Sequence, residues 1–225
     1  MPRRTVSLPY PLDLRRSMRL LRLGKHDPTI DIRPGHVAIA MNTPAGPAAL
    51  RATDEGDHLD VEAWGEGADW ALETAPGLLG AEDDHSDFAP EHPLIRRLHR
   101  EAPGLHLPRT RRVLDALVPA VLSQRVTGFE AKRAFRLLVE RWGEPAPGPT
   151  GLLRVPDPQV VSEIPYYDLH VIGVEKKRAD ALKRVCAHAS RLDHVARHEP
   201  AQLRTRLEAL AGIGQWTSAE VARVV

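Results

Sequence analysis

The stretch 207–218 constrains the fold of this chain more than any other part of the sequence. Leu207 and Leu210 lie three residues apart and lead into Gly212-Ile213-Gly214, after which a new helical run begins at once. Glycine is the residue that ends a helix and takes positive φ without a steric penalty. The stretch therefore predicts two helices joined by a hairpin too tight for residues with a Cβ atom.

The second helix of this hairpin would begin with backbone N–H groups that have no partner inside the helix. Such an end attracts anions, and a phosphate group fits it without help from a charged side chain. The spacing Leu-x-x-Leu-x-Gly-Ile-Gly is typical of the helix-hairpin-helix motif, which binds a nucleic-acid backbone phosphate without reading sequence. An ordinary glycine-capped turn is the alternative interpretation of Gly212–Gly214.

The charge of the chain favours the same kind of partner. Residues 1–90 hold 9 Lys and Arg against 15 Asp and Glu, a net charge of −6, whereas residues 91–225 hold 22 against 15, a net charge of +7. A positive part that carries a phosphate-binding hairpin suits a polyanion. The single cysteine, Cys186, excludes an internal disulfide and any cysteine-rich metal site, and it is expected to be a small buried apolar residue.

Residues 1–90 have the pattern of a small mixed α/β domain. Short apolar runs separated by Pro, Gly and Asp predict strands of an antiparallel sheet at residues 29–33, 37–41, 48–52 and 58–63. Helices packed on the sheet are predicted at residues 14–23 and 68–79. The acidic, turn-rich stretch 81–93 predicts a domain boundary.

Residues 91–225 have the pattern of a mainly helical domain. Apolar residues at spacings of three and four predict helices at 113–122, 131–142, 176–191 and 200–210, and the Pro- and Gly-rich stretch 144–151 is typical of a linker. The predicted fold class is therefore α+β, with an N-terminal α/β domain over 1–90 and a helix-hairpin-helix domain over 91–225. No apolar run has membrane-spanning length and no secretory signal is present, so we expect a cytoplasmic, nucleoid-associated protein with no membrane partner.

Three further stretches, together with the hairpin, carry a resemblance to a known family. They are Pro103-Gly-Leu-His-Leu-Pro108, Ala120-Val-Leu-Ser-Gln-Arg-Val-Thr127, and Gly173 followed by Lys176-Lys-Arg-Ala179. From about Ala102 onward the sequence resembles the helix-hairpin-helix DNA glycosylases of base-excision repair, specifically the alkylation-repair branch called DNA-3-methyladenine glycosylase II. The acidic first part is similar to the family's N-terminal α/β domain more loosely.

This resemblance implies a monofunctional enzyme. It would flip an alkylated purine of the 3-methyladenine type out of double-stranded DNA and hydrolyse its N-glycosidic bond. Relatives that also cut the backbone carry a lysine at the position of Trp216, and a tryptophan cannot form their Schiff base. Trp216 is therefore expected to form a wall of the base pocket, with plain core packing as the alternative.

The resemblance also implies a set of DNA contacts and an ion site. It assigns the DNA contacts to Gln124, Arg125, Gly212, Ile213, Gly214, Gln215 and Thr217. Arg125 falls where the family places the wedge that fills the gap left by the flipped base. The backbone carbonyls of Leu210 and Ile213, with Glu208 as a weaker candidate, would bind a structural Na⁺ or K⁺, and no other cofactor is expected. We expect a monomer.

Several positions depart from the family's pattern. Its catalytic aspartate lies beyond the position of Val225, so the resemblance assigns no catalytic residue within this chain, and these 225 residues alone are expected to bind DNA weakly and excise little or nothing. Ala211 replaces a proline and Ser218 an alanine, while Glu220 stands where some relatives place an aromatic pocket residue, which leaves the preferred alkylated base open. A non-catalytic helix-hairpin-helix DNA-binding protein is the alternative function.

Other polar residues have plainer interpretations. Gln124 could simply bridge helices instead of contacting DNA, and Lys176–Arg178 fits either a solvated helix face or a phosphate contact. Asp83 and Asp84 are expected to be solvent-exposed turn residues. His92, His99 and His106 show no coherent ligand spacing, which argues against a metal site formed by side chains.

Overall fold

The computed structural model describes residues 2–192 and 200–225, and in these residues the predicted α+β class is confirmed. All five strands are antiparallel and lie in one sheet with the order β1-β5-β4-β3-β2. The strands are β1 Arg3–Ser7, β2 Ile30–Arg33, β3 His36–Thr43, β4 Gly46–Asp54 and β5 His58–Trp64. Four of these were predicted, whereas β1 was missed because its sequence is mostly charged and polar and only Val6 is buried.

The helices of the described ranges follow around and after this sheet. They are α1 Leu14–Met18, α2 Ala68–Leu78, α3 Pro93–Glu101, α4 Val113–Leu122, α5 Gly128–Trp142, α6 Pro158–Glu163, α7 Tyr166–Val171, α8 Lys176–Ala187, α9 Ala189–Leu192, α10 Pro200–Glu208 and α11 Gln215–Ala222. The helix predicted over 14–23 ends at Met18, and the one predicted over 176–191 divides at His188. Within the described ranges, no helix combines the length and the apolar character needed to span a bilayer.

The inner face of the sheet carries the N-terminal core. Val37, Ile39 and Met41 alternate along β3, as a strand requires, and pack with residues of α1 and α2 that are also buried. Burying a side chain of this size contributes about 1.5–3 kcal/mol. Alternation of this kind is why the strand positions could be predicted.

The outer face of the sheet is covered by residues 144–154. Ala146 packs on Ala40 and Ala49 beside Trp64, and its N–H donates to the carbonyl of Leu152 at 2.9 Å. The buried Arg154 side chain donates to the side chains of both Asn42 and Glu144. The stretch 144–151 is a non-helical connection between α5 and α6, as predicted, but the small alanines of the sheet let it dock as part of the structure.

The second core is built around α4, which packs against α5, α8 and α11. Leu117, Val121 and Leu122 are fully buried there. Residues 104–110, which enter α4, run along the N-terminal part: Asp13 N–H donates to the carbonyl of Gly104 at 2.7 Å, and Arg109 N–H to that of Gly77 at 2.9 Å. The division at residue 90 stays a prediction.

Candidate nucleic-acid interface

The predicted hairpin lies between α10 and α11 and depends on one glycine. Gly212 has φ +95°, a conformation that favours glycine. A Cβ atom on Gly212 would also lie 3.0 Å from the Cβ of Ala181. Leu207 and Ile213 are buried on either side of the turn, and Ile213 N–H donates to the Leu210 carbonyl at 3.0 Å. The turn is therefore fixed by local backbone conformation and by packing on α8.

Gly214 differs from Gly212, and the prediction that the whole hairpin excludes a Cβ atom is wrong for it. Gly214 has φ −103° and ψ 178°, which any residue adopts, and a Cβ added there would meet nothing within 4 Å. Its carbonyl accepts the first α-helical bond of α11, from Ser218 N–H at 3.0 Å. The space in front of the α11 N-terminus is therefore open, and the first amides of α11 face it without acceptors from their own helix.

Gln124 braces the hairpin from the loop that follows α4. Its Nε2 donates to the Gly212 carbonyl and to Thr217 Oγ1, at 2.9 Å each. Gln124 therefore bridges two parts of the structure through its amide nitrogen, as the alternative interpretation expects. A contact between Gln124 and DNA stays a prediction. Thr217 is buried beside Gln124, and its DNA contact also stays a prediction.

Arg125, the predicted wedge, is exposed and has φ +53°. Left-handed backbone at a residue with a side chain costs about 1 kcal/mol or more and concentrates at functional sites. Two residues later Thr127 and Glu130 form a reciprocal capping box that starts α5. Phe129, in the first turn of α5, is 77% exposed. The backbone therefore holds Arg125 on the protein surface immediately beside the hairpin-bracing Gln124.

The carbonyls predicted to bind a monovalent cation lie at the turn itself. The Leu210 carbonyl already accepts Ile213 N–H, which leaves it one lone pair. The carboxylate of Glu208 accepts the Ser218 hydroxyl at 2.5 Å, so Ser218 ties the two hairpin helices together. The ion site itself stays a prediction.

A cavity of about 210 Å³ opens beside the hairpin, between the segment that follows α1, the start of β2, α4 and α11. Trp216 lines it and is 53% exposed, which excludes the alternative that this residue is core. Glu220 lies on the same helix one turn further on and pairs with Arg223 at 3.1 Å. The aromatic ring and the carboxylate thus face one concave space.

Two further carboxylates line this cavity. Asp115 Oδ2 lies 2.7 Å from Arg112 Nε. Asp27 accepts the N–H groups of Leu23 and Thr29 and the Thr29 hydroxyl. Burial raises the pKa of the Asp27 carboxyl, and these hydrogen bonds oppose the rise. All of the cavity's carboxylates thus have bonding partners.

Comparison with solved structures places this arrangement in a known fold. The chain superposes on the 3-methyladenine DNA-glycosylase from Archaeoglobus fulgidus with a TM-score of 0.81 at 18% identity, over 98% of this chain and 78% of that one. It matches MBOgg1, solved with a low-affinity DNA ligand, with a TM-score of 0.73 at 13% identity over 97% and 75% of the two chains.

A third similar structure is the 8-oxoguanine glycosylase/lyase of Clostridium acetobutylicum bound to double-stranded DNA. The TM-score is 0.61 at 12% identity, over 87% of this chain and 78% of that one. No family model and no curated protein sequence matches the chain. The chain has the fold of the DNA glycosylases.

Arg178 is a residue of this fold that sequence reasoning did not place. Its Nη1 donates to the Leu122 carbonyl at 3.0 Å and its Nη2 to the Gly173 carbonyl at 2.8 Å, and the residue is buried. Arg178 thereby anchors the C-terminal end of α4, from which Gln124 and Arg125 follow. Lys176 and Lys177 are exposed, as a solvated helix face requires, and Lys176 pairs there with Asp180 at 2.6 Å.

Proposed function

We propose that this chain binds double-stranded DNA and belongs to a base-excision glycosylase that removes alkylated purines of the 3-methyladenine type. One observation carries the proposal: the open N-terminus of α11 and the cavity are adjacent through Trp216, the second residue of that helix. A phosphate held at the first amides of α11 would place the sugar and base of the same nucleotide beside the cavity mouth.

The cavity's chemistry supports a cationic base over a neutral one. An N-alkylated purine is positively charged, and an electron-rich indole such as that of Trp216 attracts it by about 0.5–2 kcal/mol. Glu220, which stands where some relatives carry an aromatic residue, adds a carboxylate to the same wall. Glu220 pairs with Arg223, which also lines the cavity, so only the part of its charge that Arg223 leaves uncompensated favours a cation over a neutral oxidised purine.

The proposed reaction is simple hydrolysis of the N-glycosidic bond. Trp216 has no amine, so a Schiff-base route to strand cleavage is not available at this position. The carboxylates of the cavity, Asp27, Asp115 and Glu220, each have partners that fix them in the wall. We assign none of them, and no other residue among these 225, as the catalytic carboxylate.

The test is release of free base from methylated duplex DNA. The 225-residue chain would be assayed beside a version extended along any reading frame that continues past codon 225. We expect 3-methyladenine release by the extended form, and weak, salt-sensitive duplex binding by the shorter one. Glu220→Gln in the extended form serves as the specificity variant and should lose activity on charged 3-methyladenine more than on a neutral substrate.

Two outcomes would overturn this assignment. Preferential release of 8-oxoguanine would reject the alkylpurine specificity. No release by either form, with salt-sensitive binding by both, would favour a non-catalytic DNA-binding module.

A further inference from the structure

A cluster of potential metal ligands lies outside the proposed DNA site, where two segments of the chain meet. Asp83 and His85 come from the acidic stretch after α2, and His106 comes from the segment that leads into α4. One ligand atom from each of these residues lies within 4.8 Å of the other two. His106 is only 1% exposed, so its ring is held in one position.

The ring nitrogens of His106 both face backbone carbonyl oxygens. Nε2 lies 3.1 Å from the carbonyl of Pro11, and Nδ1 lies 2.9 Å from the carbonyl of Asp83. A neutral imidazole has one N–H, so it can satisfy only one of these carbonyls. With the hydrogen on Nε2, the lone pair of Nδ1 points at the lone pairs of the Asp83 carbonyl.

In that tautomer a cation on the Nδ1 side of the ring would remove the contact between electron pairs. The Asp83 carboxylate converges on the same place, since its Oδ2 lies 3.7 Å from Nδ1 and also accepts Leu107 N–H at 2.7 Å. An imidazole nitrogen, a carbonyl oxygen and a carboxylate oxygen therefore surround one point. The Nε2–H bond to Pro11 is the outer bond that commonly fixes the tautomer of a metal-binding histidine.

The surroundings are negative, which favours a cation of higher charge than a proton. Asp84 follows Asp83 directly, so two carboxylates lie side by side in this acidic stretch. The Tyr10 ring stacks on the His106 ring with 4.1 Å between ring centroids. The half-exposed His85 ring also stacks on His106, with 4.4 Å between ring centroids. Because His85 is open to solvent, its ring can turn out of this stack to offer a nitrogen.

We propose that Asp83, His85 and His106 bind a divalent transition-metal ion, with Zn²⁺ as the preferred ion. Imidazole and carboxylate ligands suit zinc, and Zn–N distances of about 2.0–2.1 Å require only that His85 approach the other two ligands. The ion would link the acidic stretch after α2 to the later segment that leads into α4. Its role is structural and independent of the proposed glycosylase function.

Zinc titration of the full 225-residue protein, with any affinity tag removed, tests this site. We expect one Zn²⁺ per chain by calorimetry, and a visible absorption band when Co²⁺ replaces it. His85→Ala and Asp83→Asn should each weaken zinc binding by at least about tenfold. His170→Ala, which removes an imidazole from α7, is the matched control and should bind like the wild type.

His85 is the informative position because it is half-exposed, so His85→Ala should melt like the wild type in the absence of zinc and rule out misfolding. Equal zinc affinities for His85→Ala and the wild type would overturn the proposal. Absence of zinc binding by the wild type would also overturn it.

Discussion

The α7–α8 and α10–α11 pairs have the same turn, but only the second ends in an open helix. Gly173 has φ +90° and Gly212 has φ +95°, and each is followed by a buried apolar residue, Val174 or Ile213. A side chain from outside the turn also donates to each glycine carbonyl: Arg178 to Gly173 and Gln124 to Gly212.

The two turns differ at the residue that caps the next helix. Glu175 precedes α8 and places a carboxylate at its N-terminus, where it interacts favourably with the helix dipole. Gly214 precedes α11 and leaves empty space there. The comparison indicates that a glycine at φ > 0 allows the turn, whereas the cap residue determines whether the helix N-terminus is accessible to an external anion.

Removing the brace of the first turn should give the largest effect on stability. Arg178→Met leaves the buried Leu122 carbonyl and the part-buried Gly173 carbonyl without their donor, and we expect a loss of about 3 kcal/mol in the free energy of unfolding. Urea denaturation measures this. Lys177→Met, one residue earlier and exposed, should change stability by no more than about 0.5 kcal/mol. Equal midpoints for the two variants would show that Arg178 is not a brace.

Giving the second turn the cap of the first should close the anion site. Gly214→Glu meets no steric obstacle but puts a carboxylate where the phosphate is proposed, so we expect duplex affinity to fall roughly 30- to 100-fold, about 2–3 kcal/mol. Fluorescence anisotropy with a short duplex measures this, and the melting temperature should not change. Glu175→Gln is the matched control and should leave affinity nearly unchanged. Full affinity in Gly214→Glu would refute the phosphate site.

The two turn glycines should tolerate alanine unequally. Both variants strain the backbone, which costs about 1 kcal/mol, but Gly212→Ala also presses on Ala181, whereas the nearest atom to a Cβ on Gly173 is Arg133 Nη1 at 3.6 Å. We expect losses of about 2 kcal/mol for Gly212→Ala and about 1 kcal/mol for Gly173→Ala in thermal unfolding. A larger loss at Gly173 would mean that packing on α8 does not limit the second turn.

The brace of the second turn should matter least, because it is neutral and partly exposed. Gln124→Ala removes two hydrogen bonds to the hairpin, and we expect a loss of about 1 kcal/mol in the free energy of unfolding. Gln159→Ala, an exposed glutamine on α6, is the control and should be silent. If Gln124→Ala instead reduced only duplex affinity, Gln124 would act on DNA and not on the turn.

Local patterns made the strands of the sheet interior and the second turn predictable. Alternation along β3 and the leucine spacing before Gly212 report on neighbours a few residues away. The partners of the two braces were not predictable, because Arg178 reaches Leu122 and Gln124 reaches Gly212 across 56 and 88 residues. Asp83, expected to be a solvent-exposed turn residue, is instead half-buried and accepts Leu107 N–H, again a contact across the fold.

The docking of residues 144–154 on the sheet sets how the protein can be divided in the laboratory. A cut in this Pro- and Gly-rich stretch would look harmless from composition, yet it would uncover Trp64 and the alanines beneath it and release Asn42 from Arg154. Neither half should then express as a soluble fragment. We expect the sheet and the helices to unfold together, as one cooperative unit.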